Sequence, residues 1–293
     1  MKMKKRNWTA KQVRTTTRPD ESGSRFSSSL ARGLNILELF AREGHELGIT
    51  EVANELGVSA STCHRYVHTL VTLGYLEQYR LSGRYGLGFK VMDLGMAAIN
   101  SLGFIQVARP YLHELWESTG RSVDIGVLDG NEVVYVDMVK NPGGVVLDIP
   151  VGSRLPAHSS AIGKVLLAEL PPERLEVALS KMELRPMGPN TITTAADLIA
   201  DLQMSRERGF AYNNEETAPG LRTVAAPIRA SSGEAVAAIN LAVYSWMTSW
   251  DDPITAYAAL VCGTAGRVSA KLGYRPAMPN ERSVHSDQVT RNV

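Results

Sequence analysis

The chain has 293 residues, of which 44% are apolar and 21% charged, with a formal net charge of +1. That length accommodates two domains with a core each, and no apolar run reaches the about 18 residues that a membrane-spanning helix needs. Cys63 and Cys262 lie far apart in apolar helical patterns, which suits a reducing cytoplasm and neither a disulfide framework nor a metal motif.

Residues 1–28 carry eight Lys/Arg against two acids and no apolar period. They are expected to be a disordered basic tail, either an electrostatic arm for DNA phosphates or dispensable. They also lack the apolar stretch of a secretory signal. From Ser29, order is expected to begin: Leu30, Leu34, Leu37 and Phe40 or Ala41 recur at helical spacing, the first helix of a three-helix core.

The organising stretch is Thr50–Leu73, TEVANELGVSASTCHRYVHTLVTL, which reads as two short helices around a tight turn. Thr50 suits an N-cap, with Glu51 in the first turn and Val52, Ala53 and Leu56 inside. Gly57 supplies the left-handed position that the turn needs, Val58 plugs it, and Ser59 caps the second helix. On that helix Cys63, Tyr66 or Val67, Leu70 and Leu73 face inward, leaving Ala60, Ser61, Thr62, His64, Arg65 and His68 outward. A recognition helix enters the major groove by its N-terminal half, where small residues allow approach and hydroxyls and a guanidinium reach bases and phosphates. Ser59, Ser61, Thr62, His64, Arg65 and His68 are the candidate contacts, Arg65 foremost; the alternative is an ordinary helical hairpin.

Two short aromatic-containing runs then flank Arg80-Leu81-Ser82-Gly83 and read as a β-hairpin, the wing of a winged helix-turn-helix. Arg80 and Arg84 flank its tip, either touching DNA or solvated. Acids in this region fall before Ser59 except for Glu77, so its positive charge is polarised toward the recognition helix and wing. Phe89–Ser101 reads as a linker helix whose narrow stripe, Val91, Leu94 or Gly95, Ala98 and Leu102, packs on its own chain or on a second copy. A helix from Ile105 to Thr119 follows, kinked or restarted by Pro110 and stopped by Gly120.

The period then becomes two. Strands are expected at Val123–Val127, Val133–Val139 around an Asp129-Gly130 turn, Val145–Ile149, Phe210–Tyr212, Thr223–Arg229 and Ala235–Val243. Helices are expected from Ala161 to about Leu170, capped within His158-Ser159-Ser160, then Pro171–Leu179, Thr194–Arg208, and a closing helix with Asp252 as cap and Gly273 as stop. The inward side of that last helix is Ile254, Tyr257 or Ala258, Val261, Ala265, Val268 and Leu272. The tail from 276 is expected to be disordered, and the sum is an α+β domain of about six strands.

Enzyme signatures are missing from the sequence. AIGKVLL lacks the glycines and Lys-Ser/Thr of a phosphate loop, and neither G-x-G-x-x-G nor G-x-S-x-G occurs in context. His64 and His68 share a helix face without a third ligand, so no metal and no cofactor is expected. His158 beside two serines imitates a nucleophile with its base, which leaves a small-molecule hydrolase or transferase with an accessory helical domain as the alternative reading. A binding site is better supported: the helix start at Ser159-Ser160-Ala161 suits a carboxylate. The polar loop Tyr212–Arg222 is placed to cover a pocket to which Thr223, Asn240 and Ala242 contribute. Asn240 sits in the apolar AAINLAV, and its buried amide needs a partner, either a ligand or a loop backbone.

Five blocks in order, RGLNILELF, TEVANELGVSASTCHRYVHTL, LPAHSSAIGKVLLAEL, RGFAYNNEETAPGLRTVAAPIR and RVSAKLGY, resemble the isocitrate lyase regulator (IclR) family of bacterial transcription factors, from Ser29 to Pro276. The resemblance implies a winged helix-turn-helix over 29–88, a linker helix over 89–103 and a GAF-like effector-binding domain over 104–275, between tails 1–28 and 276–293. It further implies a dimer or dimer of dimers on palindromic double-stranded operators, acting in the cytoplasm, with a small organic acid between sheet and loop. Carried over by motif, the effector positions are Ala161, Ile162, Asn213, Thr223, Asn240 and Ala242, to which the helix start adds Ser160. The chain departs from the family pattern in two places: an acidic loop pair appears as Asn213-Asn214, and a Ser-x-Ser strand pattern as Asn240-Leu241-Ala242. Loss of acid from the loop should favour an anionic ligand, and the last strand looks similar to the branch regulating aromatic-acid catabolism.

Overall fold

The computed structural model describes residues 26–140, 149–244 and 253–276, with side chains from 257 in the last segment. The chain divides into two compact units at Leu102/Gly103.

In the first unit, α1 (Ser28–Glu43), α2 (Ile49–Glu55) and α3 (Ala60–Thr72) enclose Ile36, Leu39, Phe40, Val52, Ala53, Cys63, Val67 and Leu70. The Ser27 side chain caps α1, so the helix starts at Ser28, one residue before the sequence suggests. The inward stripe of α1 also differs. Leu30 and Leu34 are 64% and 50% exposed, because only the C-terminal half of α1 reaches the core formed with α3. Thr50 does not cap α2. The cap is Gly48, whose N–H donates to the Glu51 carboxylate at 2.6 Å and moves the helix start back by two residues. Gly57 adopts φ 63° and Ser59 caps α3 through the Thr62 N–H at 3.2 Å, as the pattern requires. Leu73, expected inside, is half exposed, since it ends α3 and the chain turns so that Leu76 enters the core instead.

The wing is β1 (Leu76–Gln78) paired antiparallel with β2 (Tyr85–Leu87), and an isolated antiparallel bridge joins Leu47 to Tyr85 of β2. The linker helix is α4 (Lys90–Asn100). None of its residues is buried among the described residues: Met92, Leu94 and Met96 are about half exposed or more, as is Phe89 just before it, so its expected stripe is not covered by the described residues.

The second unit opens with α5 (Gly103–Thr119), which runs through Pro110, and Gly120 stops it at φ 62°. Six antiparallel strands follow: β3 (Val123–Asp129), β4 (Glu132–Val139), β5 (Arg154–Pro156), β6 (Ala211–Asn214), β7 (Leu221–Arg229) and β8 (Ala235–Tyr244), in the order β5-β4-β3-β8-β7-β6. The edge strand β5 falls where the sequence suggests a loop, because its backbone pairs with Glu132–Val134 of β4. Of the strand expected at Val145–Ile149, residues 145–148 lie outside the described residues, and Ile149 is not in a strand. The tails 1–25 and 277–293, the Asp252 cap and the Ile254 side chain are likewise outside them.

Helices α5 and α9 (Pro253–Lys271) pack against the sheet, with Ala258, Val261, Ala265 and Val268 of α9 buried. On the face bearing Val133, Ala211, Ala225 and Ala238 lies α6 (Ala161–Ala168), joined in one core by residues of α7 (Pro172–Ser180) and α8 (Ala195–Arg208). All eight residues of α6 are buried. It can lie so close because Gly163 has no side chain: a Cβ there would stand 2.2 Å from the Ala157 carbonyl oxygen. Among the described residues no single helix is long and apolar enough to cross a membrane.

Candidate functional site

Two surfaces carry unexplained polar chemistry, one in each unit. On α3, Ser59, Ser61, His64, Arg65 and His68 are exposed and Thr62 is half-buried. The three hydroxyls form a cluster at the helix start, Ser59 with Ser61 at 3.1 Å and Ser59 with Thr62 at 2.9 Å. The imidazoles of His64 and His68 stack at 6.3 Å between centroids. The Arg65 guanidinium lies 5.8 Å from the centroid of Tyr66. Arg80 is exposed at the wing tip. Arg84 is engaged inside the unit: it donates to the Glu46 carbonyl at 2.9 Å and to the Glu51 carboxylate at 2.6 Å, tying the wing to the start of α2. Glu51 sits below its ordinary carboxylate range, first through the Gly48 N–H bond and then through Arg84. Acids before α3 are thus spent on local structure, Glu43 and Glu55 on Arg42 and Glu51 on Arg84, while α3 presents hydroxyls, imidazoles and one guanidinium.

In the second unit the sheet face beneath α6 forms a cavity of about 550 Å³, open mouth included. Strand register sets its floor. Asp124, Asn240 and Ala225 stand side by side across β3, β8 and β7; Ala242, Thr223 and Asn213 form the next row across β8, β7 and β6. Of the sequence's candidate positions, Ser160, Asn213, Thr223, Asn240 and Ala242 line the cavity, whereas Ala161 and Ile162 are buried in the α6 core. Asp124, Tyr135, Met138, Leu155, Thr217 and Leu221 also line it and were not singled out from the sequence. Alternation against Val123 and Ile125 put Asp124 on the opposite face, but nothing in the sequence showed that face to be covered.

The polar groups of the cavity differ in how they are spent. Asn213 is saturated: its amide donates to the Ser159 carbonyl at 2.8 Å and to the Thr217 hydroxyl, and its oxygen accepts from the Glu216 N–H at 2.9 Å. It fastens the polar loop to the start of α6. The Ser160 hydroxyl accepts from the Gly163 N–H at 3.0 Å and retains its own proton to donate. The Asn240 amide donates to one oxygen of Asp124 at 3.1 Å, which answers the question of its partner with a carboxylate that the sequence reading had not considered. The remaining oxygens, Asp124 Oδ1 and Asn240 Oδ1, are buried without a partner. Burial pushes the Asp124 carboxyl up to about 7, with the Asn240 bond opposing. The loop no longer supplies an acid pair at 213–214, but the floor carries one carboxyl.

Behind the cavity wall, Lys164 of α6 is buried against Glu216 at 2.7 Å and Asp201 at 3.1 Å. Burial raises the Glu216 carboxyl, and Lys164 opposes that rise. Lys164 and Glu216 lie 52 positions apart, so no local pattern marks this cluster. His158 and Ser159 do not form a nucleophile with its base: His158 Nε2 bonds the Arg185 carbonyl at 3.0 Å, and the Ser159 hydroxyl donates to the Pro156 carbonyl at 3.3 Å. Burial lowers the His158 imidazole. Only Ser160 of the three caps α6. No group of three or more potential metal-ligating side chains occurs among the described residues.

Comparison with known proteins follows the same two-part division. The family described as the IclR helix-turn-helix domain matches residues 29–80, and that described as Bacterial transcriptional regulator IclR C-terminal matches residues 96–270. The HTH-type transcriptional regulator XynR of Escherichia coli is 35% identical over 73% of this chain and 84% of its own length. The transcriptional repressor IclR of the same organism is 32% identical over 84% and 90%. The crystal structure of an IclR homolog from Microbacterium hydrocarbonoxydans, complexed with 4-hydroxybenzoate, superimposes with a TM-score of 0.73 at 26% identity, covering 84% of this chain and 99% of that one. These relatives are transcriptional regulators, not enzymes.

Proposed function

The chain belongs to the IclR family of bacterial transcriptional regulators, with a DNA-binding helix-turn-helix domain and an effector-binding C-terminal domain, and we propose that a small organic acid in the α6-capped cavity sets its affinity for operator DNA. The observation that carries this reading is the cavity itself. It is an apolar-walled space with a few unspent polar groups on a rigid sheet, the usual form of a small-molecule site. The Ser160 hydroxyl at the α6 N-terminus receives the carboxylate. Tyr135, Met138, Leu155 and Leu221 suit a flat ring, so an aromatic acid is the first class to test; the neighbour that holds 4-hydroxybenzoate supports that choice.

In the other unit we assign Ser59, Ser61, Thr62, His64, Arg65 and His68 to the major groove and Arg80 to the flanking backbone or minor groove. Arg84 acts indirectly, by fixing the wing. We take 29–88 as the DNA-reading domain, 89–103 as linker and 104–275 as effector domain, in a cytoplasmic protein. The uncovered apolar side chains of α4 support pairing of two copies on a palindromic operator, as a dimer or dimer of dimers. Ligand binding then shifts the balance between conformations of high and low operator affinity.

The test is a mobility-shift assay of the protein on DNA from its own upstream region, with and without carboxylic and aromatic acids. A specific complex altered by one acid is the expected result; a specific complex that no acid alters would remove the effector role from the cavity. Asn240→Leu should weaken the response and leave operator affinity unchanged.

A further inference from the structure

We propose that Asp124 and Asn240 form a subsite for a hydroxyl group on the ligand, so that the effector is a hydroxylated carboxylic acid and Asp124 sets its selectivity over the unhydroxylated acid. This rests on the reading of the cavity as the effector site.

The two side chains face each other across β3 and β8, are 7% and 3% exposed, and line the cavity floor. A single bond joins them, Asn240 Nδ2 to Asp124 Oδ2 at 3.1 Å. It leaves two oxygens, Asp124 Oδ1 and Asn240 Oδ1, buried and without a partner. An unmet buried acceptor is costly, and two neighbouring ones call for a hydrogen-bond donor. A second carboxylate or a carbonyl on the ligand would be repelled there by the ionised Asp124 carboxylate and by the Asn240 oxygen. An unspent donor lies elsewhere in the cavity, at the Ser160 hydroxyl, so one ligand carrying an acid and a donor satisfies both ends.

A hydroxyl meets this demand better than an ammonium. Near neutral pH the Asp124 carboxyl passes between its two protonation states. A hydroxyl donates to the carboxylate and accepts from the carboxylic acid, whereas an ammonium serves only the charged form. Discrimination by a buried polar subsite is steep, because the analogue that lacks the hydroxyl leaves the protein's own groups unpaired.

The experiment is calorimetric titration of the full chain with two matched pairs: benzoate against 4-hydroxybenzoate, and cyclohexanecarboxylate against its 4-hydroxy derivative. In at least one pair the hydroxylated acid should bind about ten-fold tighter or more. Asp124→Leu should collapse that ratio to about two or less; Asp124→Ala, which asks less of the packing, gives the same readout, and thermal melting verifies that each variant is folded. Equal affinities within both pairs, or a ratio that survives in a folded variant, would overturn the proposal. Absence of binding by all four acids is a different result: it removes the cavity reading and this proposal with it.

Discussion

The two units spend polar side chains in opposite ways. On α3 the candidate contacts stand largely in solvent and, apart from the Ser59 cap on the Thr62 N–H, their side chains bond one another or lie against a neighbouring ring. In the cavity, Asp124, Asn240 and Asn213 are buried, and every bond they make or lack enters the stability of the fold. An exposed recognition group costs the free protein little, so its removal should register only when DNA is present. A buried recognition group burdens or supports the fold whether or not a ligand is bound. Substitutions in the two units should therefore separate cleanly by which measurement they move.

The largest effect should come from the buried cation. Lys164→Ala leaves Glu216 buried beside Asp201 with no counter-charge, which should cost about 3 to 5 kcal/mol, read as a lower urea midpoint for the C-terminal unit. A midpoint shift below about 1 kcal/mol would mean the cluster is solvated and the contrast between units is overdrawn.

Next is the pH dependence of Asp124. Its folded carboxyl is raised to about 7 from an ordinary 3.8, so the native state holds a proton that the unfolded chain has lost. Stability should fall as pH rises from about 4 to about 7, by on the order of 4 kcal/mol, and then level off. His158 works the other way. Its lowered imidazole penalises the folded state as pH falls below the usual histidine range, whereas the Glu216 carboxyl, raised by burial, adds its own fall of stability with rising pH. The informative quantity is therefore the difference between the wild type and Asp124→Asn across pH 5 to 8. The variant should lose the Asp124 part of the slope and be the more stable protein at pH 8. Parallel curves would show that the carboxyl titrates normally.

Arg65→Ala should lower specific operator affinity by about 1 to 3 kcal/mol if it reads a base, with no change in the melting temperature. Unchanged affinity would take that role from it. The smallest effect expected is that of Ser59→Ala. Loss of the cap on the Thr62 N–H should cost about 1 kcal/mol, the one place where a candidate DNA contact also supports the fold. A cost near zero would make α3 the purely external surface that the comparison describes.

The same contrast explains what could be read from the chain beforehand. Gly57, Ser59 and the apolar spacing of Cys63, Val67 and Leu70 are local signals, resolved within a turn or two, and they fix the recognition helix and its exposed face. Strand alternation likewise placed β3, β4, β7 and β8 within a few residues. Errors came where a neighbour decides the outcome. Leu30 and Leu34 have helical spacing but find no cover among the described residues, and Arg154–Pro156 becomes a strand only because β4 offers an edge. The cavity was half legible: Asn240 drew attention as an amide in an apolar run, whereas Asp124 and Lys164 gained their meaning from residues far away in sequence.

The buried Lys164–Glu216 pair has a practical corollary in ionic strength. Contacts to phosphates weaken steeply as salt displaces the counterions they would release. A pair sealed from solvent is screened far less. Concentrated salt should therefore strip this regulator from DNA while its cavity wall stays closed, leaving ligand affinity measurable on its own. Ligand affinities of the free and the operator-bound protein, compared at one low salt concentration, would give by difference the free energy with which operator and effector influence one another.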